Sequence, residues 1–206
     1  MKDLSTDVSG QDQAKYLTSN PLVQRLLARW LTKLASLVAA HVPTDTPLLD
    51  AGAGAGFSLE RFVGIRPVLA VDLHLAKAAQ IPERVPTAQP LVSDVTHLPL
   101  PDNAVAWATS IEVLEHLPHP ELLVIELARV CRDGVIVSVP WEPWFKLGNL
   151  ARGKNVRRLG NDPEHIGAFG PRNLARLLGQ SFDHVTIHRR LPWILAVATG
   201  PHTPPR

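Results

Sequence analysis

An acid and three glycines at alternate positions form the pattern with the clearest chemical meaning in this chain of 206 residues. Asp50, Gly52, Gly54 and Gly56 follow a short apolar run, which predicts a strand, a tight turn and a helix start. Glycine permits positive φ angles and lets a ligand lie against bare main chain. A helix that begins there offers unpaired N–H groups to a polar ligand. The nicotinamide and flavin pattern Gly-x-Gly-x-x-Gly instead needs a small residue where this chain has Phe57.

Two further acids stand at the ends of predicted strands. Asp72 closes the apolar run 67–72, where an acid can accept hydrogen bonds from ribose hydroxyls or cap the helix that follows. Asp94 follows the run at 90–93 and precedes a turn rich in leucine and proline. Both acids therefore fall at the carboxyl ends of strands, the edge at which open α/β sheets bind ligands.

Glu112, Glu115 and His116 form a third group, after the strand-like run 104–109. If residues 111–117 are helical, the three side chains stand at positions i, i+3 and i+4 on one face. Such a set of carboxylates and imidazole suits Mg, Mn, Fe, Co or Zn, and His116 alone could serve as a general base. The structural alternative is that acids in a first helical turn stabilise the helix dipole.

Alternating strands and helices must position these residues. Helical segments separate most of the strand-like runs, which predicts a parallel sheet covered by helices on both faces. These runs are 46–51, 67–72, 90–93, 104–109 and 134–139. Residues 183–189 and 193–197 follow each other too closely for a helical crossover, so we expect an antiparallel pair there. A further helix is expected around 171–179.

The segment 21–41 predicts an amphipathic helix, with Asn20 as its N-cap and a proline at its first position. Arg25, Arg29 and Lys33 fall outside its apolar face. A basic amphipathic helix can lie on a membrane surface. We favour a helix packed on the edge of the domain, and its contact with a partner stays open.

Composition and charge limit the classes of protein. The chain is 45% hydrophobic and 19% charged, and its net charge of +2 is too small to indicate nucleic acid by itself. Its one cysteine, Cys131, cannot form an internal disulfide. No apolar run approaches the ~18 residues of a membrane span. We expect a cytoplasmic protein with a flexible segment 1–19, a single domain over 20–199 and a disordered tail 200–206.

The alternation of Asp50 with three glycines resembles motif I of the class I S-adenosylmethionine-dependent methyltransferases. With the later segments, the chain is similar to the type 11, ubiquinone- and menaquinone-biosynthesis-like members. The resemblance implies a doubly wound, Rossmann-like, seven-stranded and mostly parallel α/β sheet with an antiparallel C-terminal hairpin. It implies S-adenosylmethionine as the cofactor, with Asp72 on ribose and Asp94 near adenine. The implied cofactor-binding residues are Asp50, Ala51, Gly52, Gly54, Gly56, Asp72, Leu73, Asp94, Val95 and Ile111.

The Glu-x-x-Glu-His segment resembles the ubiquinone-pathway catechol O-methyltransferases and the small-RNA 3′-end 2′-O-methyltransferases, whose acids and histidine bind a divalent metal. The RNA enzymes add a later histidine, and His165 stands in about that place here. The resemblance thus implies a metal set of Glu112, Glu115, His116 and His165. Without a metal, it implies His116, His165 or Glu112 as the catalytic residues.

A lid insertion at about 140–170 is also implied by the resemblance. Trp141, Trp144 and Phe145 could line an apolar acceptor or pack the lid on the sheet, and we favour packing. The basic segment 146–158 is either a solvated face or a contact for an anionic substrate or RNA phosphate.

The function expected is methylation of a small-molecule acceptor, with O-methylation favoured. The alternatives are a metal-assisted RNA 2′-O-methyltransferase-like enzyme and a non-catalytic S-adenosylmethionine-binding protein. RNA is not favoured as a partner, no membrane span is expected, and monomer and homodimer both stay open.

Overall fold

The computed structural model of the protein describes residues 16–64, 66–142, 144 and 167–202. Its centre is one seven-stranded sheet with the strand order β3-β2-β1-β4-β5-β7-β6. The strands are β1 Leu48–Ala51, β2 Val68–Asp72, β3 Ala88–Val92, β4 Val105–Ile111, β5 Cys131–Pro140, β6 Phe182–Arg190 and β7 Trp193–Pro201.

The first five strands are parallel and the last two are antiparallel to their neighbours, as the sequence predicts. In the parallel part, Asp50 of β1 lies between Ala70 of β2 and Thr109 of β4. The strand order reverses between β1 and β4, so their carboxyl ends form the crevice in which such sheets bind ligands.

Helices cover both faces of the sheet. They are α1 Pro21–His41, α2 Leu75–Ala78, α3 Ile81–Arg84, α4 Pro120–Val130 and α5 Pro171–Leu178, with short 3-10 helices at Leu59–Arg61 and Leu114–His116. The predicted start of α1 is confirmed, because the Asn20 side chain accepts hydrogen bonds from the N–H groups of Leu22 and Val23. The predicted helix around 171–179 corresponds to α5.

Two apolar layers hold these helices on the sheet. On one face, Trp30 of α1 is fully buried and stacks on Trp193 of β7, with ring centroids 4.8 Å apart. The Trp30 Nε1–H also donates to the Ser138 hydroxyl over 2.8 Å, so the buried indole nitrogen is satisfied. On the other face, Leu123 of α4 and Leu174 of α5 are fully buried in a second layer. The favoured packing of α1 on the domain is therefore correct.

The condition that residues 111–117 are helical is not met. Strand β4 continues through Ile111, which pairs with Ser138 of β5, and the Glu112 N–H then donates to the Ser138 carbonyl over 2.8 Å. Glu112 itself adopts a φ of 58°, which no right-handed helix contains. Only residues 114–116 form a single 3-10 turn, because backbone pairing with β5 holds the preceding residues extended.

Described contacts extend beyond residues 20 and 199, the predicted bounds of the domain. Tyr16, inside the segment expected to be flexible, stacks its ring on Phe57 with centroids 5.5 Å apart. Strand β7 includes Gly200 and Pro201, since Pro201 still pairs with Phe182 of β6. Residues 1–15, 65, 143, 145–166 and 203–206, which include most of the expected lid, lie outside the described residues. Among the described helices, none is both long enough and apolar enough to cross a membrane.

Candidate functional site

The glycine turn after β1 is held by backbone hydrogen bonds and by positive φ angles. Gly52, Gly54 and Gly56 have φ values of 88°, 57° and 81°. The Gly52 N–H donates to the Val71 carbonyl over 2.8 Å, which anchors the turn to β2. A Cβ on Gly52 would clash with the side chain of Val113, whereas a Cβ on Gly54 would meet nothing within 4 Å. The turn therefore exposes bare main chain to open space at Gly54.

Asp50 is a buried acid at the end of β1, and its carboxylate is only partly hydrogen-bonded. Its side chain is 1% exposed, and its Oδ1 accepts a 2.6 Å hydrogen bond from the Thr109 hydroxyl. Its Oδ2 is buried and has no hydrogen-bond partner among the described residues. Burial raises the pKa of Asp50, the Thr109 hydrogen bond opposes this rise, and the nearby Asp72 charge adds to it, so that the pKa lies at about 7. A positively charged ligand group would therefore complete this site.

Asp72 connects the end of β2 to the glycine turn. Its Oδ2 accepts from the Gly54 N–H over 2.8 Å, and its Oδ1 accepts from the His74 N–H over 2.9 Å. It does not act as the N-cap of α2, because His74 occupies that position without a side-chain bond. Each carboxylate oxygen has further lone-pair capacity, so Asp72 can still accept hydroxyl donors. Leu73, directly after it, is 46% exposed.

Asp94 lies after β3 at the same edge. Its Oδ1 accepts from the Thr96 N–H over 2.8 Å and from the Thr96 hydroxyl over 2.7 Å. Burial raises the pKa of Asp94, but these two hydrogen bonds and the nearby His97 outweigh it, so the pKa lies below its usual value. Asp94 is thus an ionised acceptor at neutral pH, while Val95 and Ile111 are each 7% exposed.

Glu112 occupies the carboxyl end of β4 in a left-handed conformation. The Trp193 Nε1–H donates to its Oε1, and Trp193 in turn stacks on Trp30. A non-glycine residue at positive φ costs about 1–3 kcal/mol and is concentrated at functional sites. The Glu112 carboxylate is therefore fixed in position by a tryptophan that belongs to the opposite end of the chain.

The predicted metal set is not assembled by the described residues. Among them, no three His, Cys, Asp or Glu side chains are grouped so that they could hold a metal ion. Glu112 points its Oε1 to Trp193, and Glu115 is 1% exposed in the 3-10 turn. Glu115 and His116 lie in the 3-10 helix 114–116, whereas Glu112 precedes it at positive φ, so the three residues do not share one face of an α-helix. His165 lies outside the described residues.

Arg129 of α4 is a structural residue that the sequence analysis missed. Its guanidinium donates to the Leu98 and Leu100 carbonyls and to the carboxylates of Asp102 and Glu126. These bonds clamp the segment after β3 onto α4 and so support the strand end that carries Asp94. No periodic pattern links Arg129 to that segment, so only the folded structure identifies the clamp.

A cavity of about 510 Å³ lies beyond β5, beside the start of α5. Its aromatic wall includes Trp141, which is half-buried, with the Arg189 guanidinium 5.7 Å from the ring centroid. Trp144 is 46% exposed, and Phe145 and the basic segment 146–158 lie outside the described residues. The residues that line the cavity are Trp141, Glu142, Ala168, Phe169, Gly170, Pro171, Arg172, Asn173 and Arg189.

Part of the chain matches a known protein family. Residues 49–139 match the family model described as a methyltransferase domain. A Mycobacterium sp. (strain KMS) protein, named an uncharacterized methyltransferase, is 32% identical over 178 residues, covering 77% of this chain and 63% of that protein. A probable S-adenosylmethionine-dependent methyltransferase of Mycobacterium tuberculosis (strain H37Rv) is 33% identical over 108 residues, covering 51% and 39%. The chain thus spans between 39% and 63% of the length of these relatives.

A solved structure shares the whole fold. The magnesium protoporphyrin IX methyltransferase of Synechocystis PCC 6803, with bound SAH, superposes with a TM-score of 0.67 at 13% identity, covering 93% of this chain and 94% of that one. The sheet order and the glycine turn at its switch point define a class I, Rossmann-like α/β protein. Residues 49–139 of the chain therefore resemble a methyltransferase domain, and the relatives of the chain include a probable S-adenosylmethionine-dependent methyltransferase.

Proposed function

We propose that the protein binds S-adenosylmethionine at the carboxyl edge of the sheet and methylates a small-molecule acceptor, with an oxygen as the favoured acceptor atom. The observation that carries the proposal is the buried Asp50 carboxylate, whose Oδ2 has no partner among the described residues. The cofactor's sulfonium carries the methyl group that is transferred. The work of the protein is to bind, orient and exclude water.

The residues around the glycine turn fit the parts of this cofactor. The methionine portion carries an ammonium group, which would satisfy Asp50 and favour its ionised form. Open space beside Gly54 leaves room for a ligand against the main chain. Asp72 has lone pairs left for ribose hydroxyls, and Asp94 is an ionised acceptor for an adenine amino group. Leu73 offers an exposed apolar surface next to them.

Glu112 is the residue that we propose to take the proton of the acceptor. It stands at the carboxyl end of β4, one strand from Asp50, and Trp193 holds its carboxylate in place. An oxygen acceptor loses a proton as it gains a methyl group, so a fixed carboxylate there can act as a general base. His116, half-buried in the adjoining 3-10 turn, is the alternative base.

The test is transfer of an isotope-labelled methyl group from S-adenosylmethionine to the compounds of a metabolite extract, followed by mass spectrometry of the products. We expect a labelled small molecule with the wild-type protein. We expect Glu112→Gln, which keeps an oxygen for Trp193, to transfer label at least tenfold more slowly with unchanged cofactor affinity. Tight cofactor binding with no labelled product in any extract would instead identify a non-catalytic binding protein.

A metal-assisted reaction is the alternative that the Glu-x-x-Glu-His segment raises. A divalent metal would hold an acceptor hydroxyl and lower its pKa, which would reduce the need for a base. We expect label transfer to persist in EDTA, because Glu112 is bonded to Trp193 and the predicted helical face does not form. If EDTA and Glu115→Ala both stop transfer while cofactor affinity is kept, the metal-assisted enzyme is the correct assignment. An RNA acceptor would appear as label in the nucleic-acid fraction.

A further inference from the structure

Helix α1 turns a basic stripe away from the sheet. Arg25 and Arg29 are exposed and Lys33 is half-buried, and their four-residue spacing places them on one line along the helix. Helix α1 contains no aspartate or glutamate. None of the three cations forms an ion pair with a described residue. Within the part of the chain that the structure describes, no ion pair neutralises the positive charge of this stripe.

Strand β6, at the edge of the sheet, adds to this charge. Burial lowers the pKa of His188, and the positive charges of Lys33, Arg190 and His41 lower it further. Arg190 pairs with Trp193 of β7, and Trp30 of α1 stacks on Trp193, so Arg190 lies on the face of the sheet that α1 covers. Asp183, the acid in β6, lies at the other end of the strand and pairs with His202.

Exposed leucines lie at one end of the same surface. Leu22 is 66% exposed and stands three residues before Arg25, on the same line of α1. Leu191 is 49% exposed and directly follows Arg190. Tyr16, four residues before the N-cap Asn20, stacks on Phe57 directly after the glycine turn, so the N-terminus of α1 lies near the carboxyl edge of the parallel strands. The leucines therefore flank the basic groups on the side of the candidate site.

We propose that this α1–β6 surface docks on an anionic lipid bilayer. The surface is formed by Leu22, Arg25, Arg29, Lys33, Arg190 and Leu191. Basic side chains are attracted to anionic headgroups, and leucines beside them enter the boundary between headgroups and acyl chains. A nucleic-acid surface would need the cations for phosphates but has no use for the leucines. Docking would hold the carboxyl edge of the sheet at the bilayer, so that amphiphilic acceptors could reach the candidate site. Only this consequence rests on the proposed methyl transfer.

Co-sedimentation of the full chain with lipid vesicles tests the docking without cofactor or acceptor. We expect binding to phosphatidylcholine vesicles that contain phosphatidylglycerol, weaker binding to pure phosphatidylcholine, and loss of binding at high salt. Each Lys or Arg near an anionic bilayer contributes about fivefold in affinity, so Arg25→Gln with Arg29→Gln should weaken binding roughly 25-fold.

The chain offers a matched control on the opposite face of the sheet. Arg172 and Arg176 are exposed on α5 with the same four-residue spacing. Replacing both with glutamine should leave vesicle binding unchanged, after circular dichroism melting has shown that both double variants are folded. If the α1 pair does not fold, Arg29→Gln alone should still weaken binding about fivefold. Equal losses from the two pairs would indicate non-specific attraction and overturn the proposal.

The leucines separate a lipid surface from a purely electrostatic one. Leu22→Ser with Leu191→Ser should weaken vesicle binding by roughly tenfold while the salt dependence stays the same. Unchanged binding in this variant, or no binding to anionic vesicles by the wild type, contradicts the proposal. Binding of single-stranded RNA that depends on Arg25 and Arg29, without vesicle binding, would make the surface a nucleic-acid site instead. Each result stands whether or not the protein transfers methyl groups.

Discussion

Asp50 and the glycine turn that follows it form the centre of the proposed cofactor site. The acid and the glycine turn could be predicted from sequence because they lie within seven consecutive positions. Thr109 and Trp193 could not, since Thr109 meets Asp50 across 59 residues of sequence and Trp193 meets Glu112 across 81. Contacts at that separation depend on strand order and register, which no local pattern contains.

Replacing Asp50 with asparagine should separate cofactor binding from folding. The amide would keep the size of the side chain but remove the charge that we propose faces the cofactor ammonium. Loss of one partner from a buried charge pair costs at least about 2 kcal/mol, so affinity for S-adenosylmethionine should fall roughly 30-fold. Stability without ligand should be kept or increased, because an uncompensated buried charge is gone. Calorimetry and thermal melting measure the two effects.

The exposed Asp45, in the loop before β1, provides the control for that substitution. Asp45→Asn removes the same charge from the same region and should leave the affinity unchanged. If Asp50→Asn binds the cofactor as tightly as the wild type, Asp50 does not contact the ammonium group.

The raised pKa of Asp50 also predicts how stability depends on pH. Burial raises this pKa from 3.8 to about 7, so between those values the folded protein holds a proton that the unfolded chain has released. The contribution of Asp50 to stability should therefore fall as pH rises from about 4 to about 7, and then stay constant. Thermal melts of the ligand-free protein should show the advantage of Asp50→Asn growing across that range. A constant difference between variant and wild type would place the Asp50 pKa near its ordinary value.

At the scale of elements, the sequence predicts helix ends and strand positions where local signals are strong. The Asn20 cap defines the start of α1, and the five parallel strands fall within a few residues of the predicted runs. The spacing of acids and histidine in segment 111–117 is compatible with an α-helix, but the segment does not form one. Pairing of Ile111 and Glu112 with Ser138 of β5 keeps the start of the segment extended. This pairing is a tertiary interaction, which a local sequence pattern does not contain.

Two glycines with similar positive φ angles allow the effect of the cofactor to be separated from the effect on stability. Gly54 and Gly64 have φ values of 57° and 65°, and a Cβ on either would meet nothing within 4 Å. Gly54→Ala and Gly64→Ala should therefore each lose about 1–2 kcal/mol of stability from the left-handed conformation. Only Gly54→Ala should also lose affinity for S-adenosylmethionine, since the new methyl group would occupy the proposed ligand space. Equal cofactor affinity in the two variants would show that the ligand does not approach Gly54.

At the scale of the whole molecule, the alternation of strands and helices predicts the sheet and its antiparallel C-terminal pair. Because the carboxyl ends of parallel strands meet at one edge of the sheet, Asp50, Asp72 and Asp94 are expected at the same edge. The short connection between the antiparallel strands β6 and β7 places Trp193 at that same edge, beside Glu112. The basic residues of α1 are evident from the sequence, but their position beside Arg190 of β6 could not be predicted, because the two elements come from opposite ends of the chain.

Direct binding of S-adenosylmethionine to the purified wild-type protein is the measurement that tests the central claim. Isothermal titration calorimetry should show stoichiometric binding of S-adenosylmethionine and of its demethylated product, and much weaker binding of NADH. The cofactor at about 100 times its Kd should add roughly 2.7 kcal/mol to the free energy of unfolding by mass action. Stabilisation by NADH, with none by S-adenosylmethionine or its product, would show that the protein binds a nicotinamide cofactor instead.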